Sequence, residues 1–74
     1  MAGDTRIGDW IRTKRAERGL QIQHCAREAG VHPESWTAWE SHGVRPAIFR
    51  AAGIARALGV QSVEVLAVLE GRVS

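Results

Sequence analysis

The chain has 74 residues, 45% of them hydrophobic and 24% charged, which is the composition of one small folded domain rather than of a disordered segment. Its single cysteine excludes an internal disulfide, and no run of residues reaches the ~18 apolar positions of a membrane-spanning helix. A net charge of +2 is compatible with a nucleic-acid partner but does not require one.

The first predicted helix runs from about residue 6 to residue 18. Its apolar side chains are spaced three and four residues apart and therefore share one face. They are Ile7, Trp10 and Ile11. Asp4 or Thr5 is the expected N-cap, and Gly19 is the residue expected to end the helix in the left-handed conformation.

Two shorter helices are predicted over residues 22–29 and 33–41. Only Gly30, Val31 and His32 separate them, and Pro33 suits the first position of the second helix because its missing N–H is not needed there. Two short helices joined by a three-residue turn with a glycine form a helix-turn-helix. In this motif the second helix presents its N-terminal half to the major groove of DNA.

The last two predicted helices cover residues 47–58 and 62–69, and Ser62 is the expected N-cap of the fifth. The expected inner face of the fourth helix consists of Ile48, Ala51, Ala52, Ala55 and Leu58, with Ile54 adjoining it. No segment alternates with the period of a strand for long enough to predict one. We therefore expect an all-α, compact five-helix bundle, in which residues 1–74 form a single domain with an ordered core from about residue 6 to residue 70.

Several short motifs resemble those of the lambda-repressor-like (Cro/repressor, Xre-type) helix-turn-helix family. They are Arg15-Ala16-Glu17-Arg18-Gly19-Leu20, Cys25-Ala26-Arg27-Glu28-Ala29-Gly30-Val31, Trp39-Glu40, Arg45-Pro46 and Ile54-Ala55-Arg56-Ala57-Leu58-Gly59-Val60. The resemblance extends over about residues 6–69. It implies a double-stranded DNA-binding transcriptional regulator, and a chain this short resembles a small Cro-like repressor that acts by occupying a promoter.

The resemblance also implies which residues meet DNA. The third helix leaves three candidates to read base edges, which are Glu34, Thr37 and Ala38. Glu34 can accept from the amino group of cytosine, and the methyl groups of Thr37 and Ala38 can meet thymine. The candidates for holding the DNA backbone are Gln21, Gln23, His32, Ser35, Ser41, His42 and Arg45.

A second interpretation stays open because the third helix carries Glu34 and has no Lys or Arg. A solvent-facing carboxylate repels phosphate, so the same fold can instead serve as a protein-interaction module. An antitoxin, or a phage-type protein that binds a protein partner, would be of this kind. Trp10, Trp36 and Trp39 could stack on bases, although their helical spacing favours a place in the core.

Two structural pairings are also expected. Arg15 and Glu40 match a recurrent ion pair between the first helix and the end of the third. The apolar run of the fifth helix exceeds what a short helix buries against its own domain, which predicts a homodimer through Val63, Leu66 and Leu69.

The sequence also bears on enzyme activity, on metal and cofactor binding, and on cellular location. Ser35 has no visible third partner for nucleophilic catalysis, so we expect no enzyme activity. His24, His32 and His42 fit no metal-ligand spacing, and no metal, cofactor or small-molecule ligand is implied. Cys25 lies in an apolar stripe and is expected to be buried and inert. The N-terminus lacks the features of a signal peptide, and the lone cysteine suits a cytoplasm-type setting. Together with the family resemblance, this implies a bacterial or phage protein located in the bacterial cytoplasm or at the nucleoid.

Overall fold

The computed structural model describes residues 6–71, and this part of the chain is all-helical. Five α-helices follow one another along the sequence, with a single 3-10 turn before the fourth. They are α1 (Arg6–Glu17), α2 (Ile22–Ala29), α3 (Pro33–Ser41), α4 (Ala51–Leu58) and α5 (Ser62–Leu69), and the 3-10 turn is Ile48–Arg50. The described residues contain no strand. This confirms the all-α, five-helix fold class expected from the sequence.

The turn between α2 and α3 has the geometry that a helix-turn-helix requires. Gly30 takes the left-handed conformation with φ 75°, which a residue with a Cβ adopts only with strain. The backbone N–H of Gly30 donates to the carbonyl of Arg27 at 3.1 Å, and that of Val31 donates to the carbonyl of Ala26 at 2.9 Å. These two bonds close the end of α2 as a Schellman motif. The chain then enters α3 with His32 extended as its N-cap and Pro33 in the first turn.

The core lies at the centre of the bundle, where α4 packs against both α2 and α5. Two glycines allow helices to approach closely there. A Cβ built on Gly53 of α4 would lie 2.8 Å from the carbonyl oxygen of Ala29, and one built on Gly8 of α1 would collide with the carbonyl oxygen of Trp39. Because both obstacles are backbone atoms, a larger side chain at either position would push helices apart.

The start of the fourth helix differs from the prediction. Ala47 is extended, and the chain first forms the tight 3-10 turn before α4 begins at Ala51. A 3-10 turn places side chains at different angles from an α-helix, so Ile48 is 62% exposed instead of facing inward. Ala52 also faces solvent, while Gly53 and Ala57 are buried in its place.

The N-terminus of α5 also differs from the prediction, because Gln61 and not Ser62 is its N-cap. The backbone N–H of Gln61 donates to Oε2 of Glu64 at 3.0 Å, as in a capping box. The predicted N-caps of α1, Asp4 and Thr5, lie outside the described residues. Within residues 6–71, every helix is too short or too polar to cross a membrane.

Candidate nucleic-acid interface

The third helix, α3, is fixed to the bundle by its inner face. Trp36 is 0% exposed and Trp39 is 6% exposed, and their rings meet at a centroid distance of 5.5 Å and a tilt of 53°. The two indoles therefore belong to the core and are not available to stack on bases. Trp10 of α1 is only partly buried, and the ammonium of Lys14 lies 5.8 Å from its ring centroid.

Glu40 anchors the C-terminal end of α3 through a buried polar cluster. Its Oε2 accepts from Nε of Arg15 at 2.6 Å and from Nε1 of Trp36 at 2.6 Å, and its Oε1 accepts from the Arg15 guanidinium at 2.8 Å. Arg12 donates to the carbonyl of Glu40 as well. The hydrogen bond with Glu40 raises the pKa of Arg15. The predicted Arg15–Glu40 ion pair is thus present, and it fixes α3 against α1.

The outer edge of α3 is free of these core contacts. Glu34 and Ser35 are exposed, and Thr37 and Ala38 are partly buried along the side of the helix. The base-reading candidates therefore lie on the part of α3 that faces away from the tryptophans. Glu34 is the charged side chain among them and stands in the first turn of the helix.

All of the candidate backbone contacts are exposed, and they surround α3 on several elements. Gln21 is the N-cap of α2 and Gln23 lies in its first turn. His32 precedes α3, while Ser41 ends it and His42 is its C-cap. Arg45 follows in the loop that leads to the 3-10 turn, and it is also exposed.

One cleft joins two of these candidates with residues that the sequence analysis did not select. It has a volume of about 500 Å³ and lies in the elbow between α2 and α3. Its lining is Gln23, Arg27, Gly30, Val31, His32 and Pro33. Arg27 is the most important residue of the cleft that the sequence pattern did not single out. Its position four residues after Gln23 on α2 could have indicated it, because residues four apart share a helix face.

The structure also shows the environment of the Cys25 thiol and of the residues that could bind a metal ion. Cys25 is 0% exposed, and burial raises the pKa of its thiol, which favours the unreactive neutral form. Among residues 6–71, no group of three or more His, Cys, Asp or Glu side chains is arranged to hold a metal ion.

The candidate dimer residues on α5 differ in their exposure. Val63 is 63% exposed and Leu66 is partly buried, but Leu69 is 0% exposed within its own core. The expectation that Leu69 meets a second copy is therefore wrong, because its side chain is already covered. Val63 instead lines a cleft of about 280 Å³ together with Trp10, Glu64, Ala67 and Val68.

Other exposed apolar side chains lie in the segment between α3 and α4. Val44 is 48% exposed and Phe49 is 76% exposed, with Ile48 between them along the chain. The guanidinium of Arg50 lies 4.9 Å from the centroid of the Phe49 ring. This apolar segment was not anticipated, because the sequence pattern placed Ile48 in the core.

Comparison with solved structures identifies a similar fold. The clp gene regulator ClgR from C. glutamicum matches with a TM-score of 0.75 and 23% sequence identity, over 95% of this chain and 91% of that one. The chain therefore has the fold of ClgR. No protein-family model and no curated protein sequence matches it. The arrangement of α2, Gly30 and α3 is thus part of a fold that a solved structure shares.

Proposed function

We propose that this protein is a sequence-specific double-stranded DNA-binding transcriptional regulator that acts as a small Cro-like repressor. The observation that carries the proposal is the division of α3 into two sides. Its inner side is committed to the core through Trp36, Trp39 and Glu40. Its outer side carries Glu34, Thr37 and Ala38, which have no comparable role in the core.

The residues before and after α3 include exposed groups that can contact DNA phosphates. Exposed amide, hydroxyl, imidazole and guanidinium groups lie at the start of α2, at both ends of α3 and in the following loop. Such groups are those that fix a protein on DNA by donating to phosphate oxygens. A gene regulator with this fold, ClgR, provides a second line of support.

The mechanism follows from this arrangement. α3 enters the major groove, where Glu34 accepts from a cytosine amino group and the Thr37 and Ala38 methyl groups contact thymine. The exposed donors around α3 hold the backbone and set the register. A homodimer formed through Val63 and Leu66 of α5 would present two copies of α3 about 34 Å apart, one turn of DNA, to a near-palindromic site. Bound there, the protein represses by occluding the promoter, in the bacterial cytoplasm.

The direct test is binding to a pool of random duplexes at several salt concentrations, followed by selection of the bound sequences. The proposal predicts a linear fall of log K with log[salt], because bound phosphates release counterions. It also predicts an enriched motif with a C·G pair opposite Glu34. Absence of binding at low salt would contradict the proposal.

A second candidate function is a protein-interaction module, and one observation favours it specifically. Val44, Ile48 and Phe49 expose apolar surface beside the end of α3, and exposed apolar patches are typical of protein-binding sites. In this alternative Phe49→Ala abolishes partner binding while DNA is not bound at all. In the DNA-binding proposal, the random-duplex assay is positive whatever happens at Phe49.

A further inference from the structure

The elbow cleft between α2 and α3 is lined by an arginine side chain that has no counter-ion within the described residues. Arg27 is exposed and lines the cleft, and its guanidinium forms no ion pair within the part of the chain that the structure describes. Its backbone carbonyl is used to close α2, but its side chain is not.

The other Lys and Arg side chains of residues 6–71 each have an intramolecular contact. Arg12 and Arg15 donate to Glu40, Lys14 lies near Glu17, and Arg56 donates to the carbonyl of Glu28. The remaining ones lie against a glycine or an aromatic ring or make another interaction, and these are Arg6, Arg18, Arg45 and Arg50. Among residues 6–71, Arg18 and Arg27 are thus the cations whose charge meets no ion pair, hydrogen bond or aromatic ring, and of these two Arg27 lines the cleft.

The rest of the cleft favours an anion. Gln23 contributes an amide and His32 an imidazole, both able to donate hydrogen bonds, and no Asp or Glu of residues 6–71 lines the cleft. A guanidinium matches the oxygens of a phosphate in a planar, two-pronged geometry. Gly30 and Pro33, which also line the cleft, bring no charged side chain to it.

The position of the cleft identifies the source of that phosphate. Pro33 lines the cleft and is adjacent in sequence to Glu34, the first base-reading candidate. A phosphate held by the cleft would thus belong to the DNA strand that borders the start of α3. We infer that the elbow cleft binds one DNA backbone phosphate through Arg27, with Gln23 and His32 as further donors; this rests on the proposed DNA-binding function.

The test compares two variants that remove the same charge. Arg27→Gln takes away the cleft cation and keeps good helix propensity, whereas Arg56→Gln removes an exposed arginine of α4 that lies outside the cleft lining. Both are titrated with a random 20-base-pair duplex between 50 and 300 mM salt, and circular dichroism checks their folding. Arg27→Gln is expected to reduce the slope of log K against log[salt] by about 0.9 and to weaken binding about tenfold at 50 mM salt, while Arg56→Gln keeps the slope of the unmodified protein.

The outcomes separate this inference from the proposed function. If the unmodified protein binds the duplex and Arg27→Gln keeps its slope, or both variants lose slope equally, the cleft does not hold a backbone phosphate and DNA binding stands. If the unmodified protein does not bind the duplex, the proposed function fails and the inference fails with it. A titration with inorganic phosphate, followed by the amide signals of residues 30–32, distinguishes the source of the anion. Binding of free phosphate with a Kd below about 0.1 mM, which is the weak end of nonspecific DNA affinity, would overturn the assignment to DNA.

Discussion

Replacing Glu40 by alanine is the substitution expected to damage this fold most, because one carboxylate serves three donors. The side chain of Glu40 is 3% exposed, and it pairs with an Arg15 side chain that is 20% exposed. Its removal also deprives Nε1 of Trp36 of the oxygen that lies 2.6 Å away. The variant therefore leaves a buried indole N–H without its acceptor, and a mostly buried cation that keeps the carbonyl of Leu20 but has lost its counter-charge.

The expected loss follows from the burial of these groups. Removing one partner of a buried ion pair costs about 3–5 kcal/mol, and the partial exposure of Arg15 places the expected loss near the lower end, at about 3 kcal/mol. A chain of this length has a free energy of unfolding of about 4–11 kcal/mol. The substitution would therefore remove a large part of the stability of the domain.

Urea denaturation followed by tryptophan fluorescence and circular dichroism measures this loss. Glu40→Gln should be milder, at about 1–2 kcal/mol, because its amide oxygen still accepts from one donor. Glu17→Ala is the control, since Glu17 only forms an exposed pair with Lys14 at 4.0 Å and should cost less than about 1 kcal/mol. The Arg15→Ala/Glu40→Ala double variant should lose less than the sum of its single variants. The reasoning is refuted if Glu40→Ala costs no more than Glu17→Ala.

Four further predictions concern recognition, assembly, packing and protonation. Glu34→Gln should change the base preference at one position by about 1–3 kcal/mol. Arg45→Ala should weaken binding to all duplexes alike and lower the salt slope by about one phosphate contact. If Glu34→Gln strengthens binding to every duplex equally, Glu34 reads no base. Val63→Glu and Leu66→Glu should reduce cooperative binding to a two-half-site duplex, while Ala52→Glu on the exposed side of α4 should not; sedimentation that detects only monomers, with and without DNA, would exclude the dimer. Gly53→Ala should destabilise by about 1–3 kcal/mol despite the higher helix propensity of alanine, because its Cβ would lie 2.8 Å from the carbonyl oxygen of Ala29; a stabilised variant in thermal melts would contradict this packing. Burial raises the pKa of Cys25, so the thiol ionises first in the unfolded chain. Its contribution to stability is complete below the ordinary thiol pKa of about 8.5 and decreases as the pH rises above it. Denaturation curves of Cys25→Ala, measured across this pH range, should lack this pH-dependent loss of stability.

Much of the fold could be predicted from sequence because local signals agreed with one another. Gly30 between two amphipathic segments fixed the position of the helix-turn-helix, and its left-handed conformation is the one that the turn needs. The spacing of Trp36 and Trp39 correctly indicated core positions. The pairing of Arg15 with Glu40 was expected from the family resemblance, supported by the position of Glu40 directly after a core tryptophan.

Other features depend on tertiary structure and could not be predicted from the same signals. Ile48 has the sequence spacing of an α4 core residue, but the 3-10 turn rotates it into solvent. Leu69 and Val63 look equivalent in the apolar run of α5, yet only Leu69 faces the core. The place of Arg27 in the cleft also requires the structure. A cation without an intramolecular partner is recognised only when the contacts of the surrounding side chains are known.

The central claim is that the outer side of α3 contacts DNA, and amide NMR shifts on addition of a duplex selected from the random pool test it most directly. The account predicts that the largest shifts fall on residues 21–23 and 32–38, and that the amides of α5 beyond Val63 and Leu66 change little. Shifts confined to residues 44–50, or the absence of any change at low salt, would contradict it.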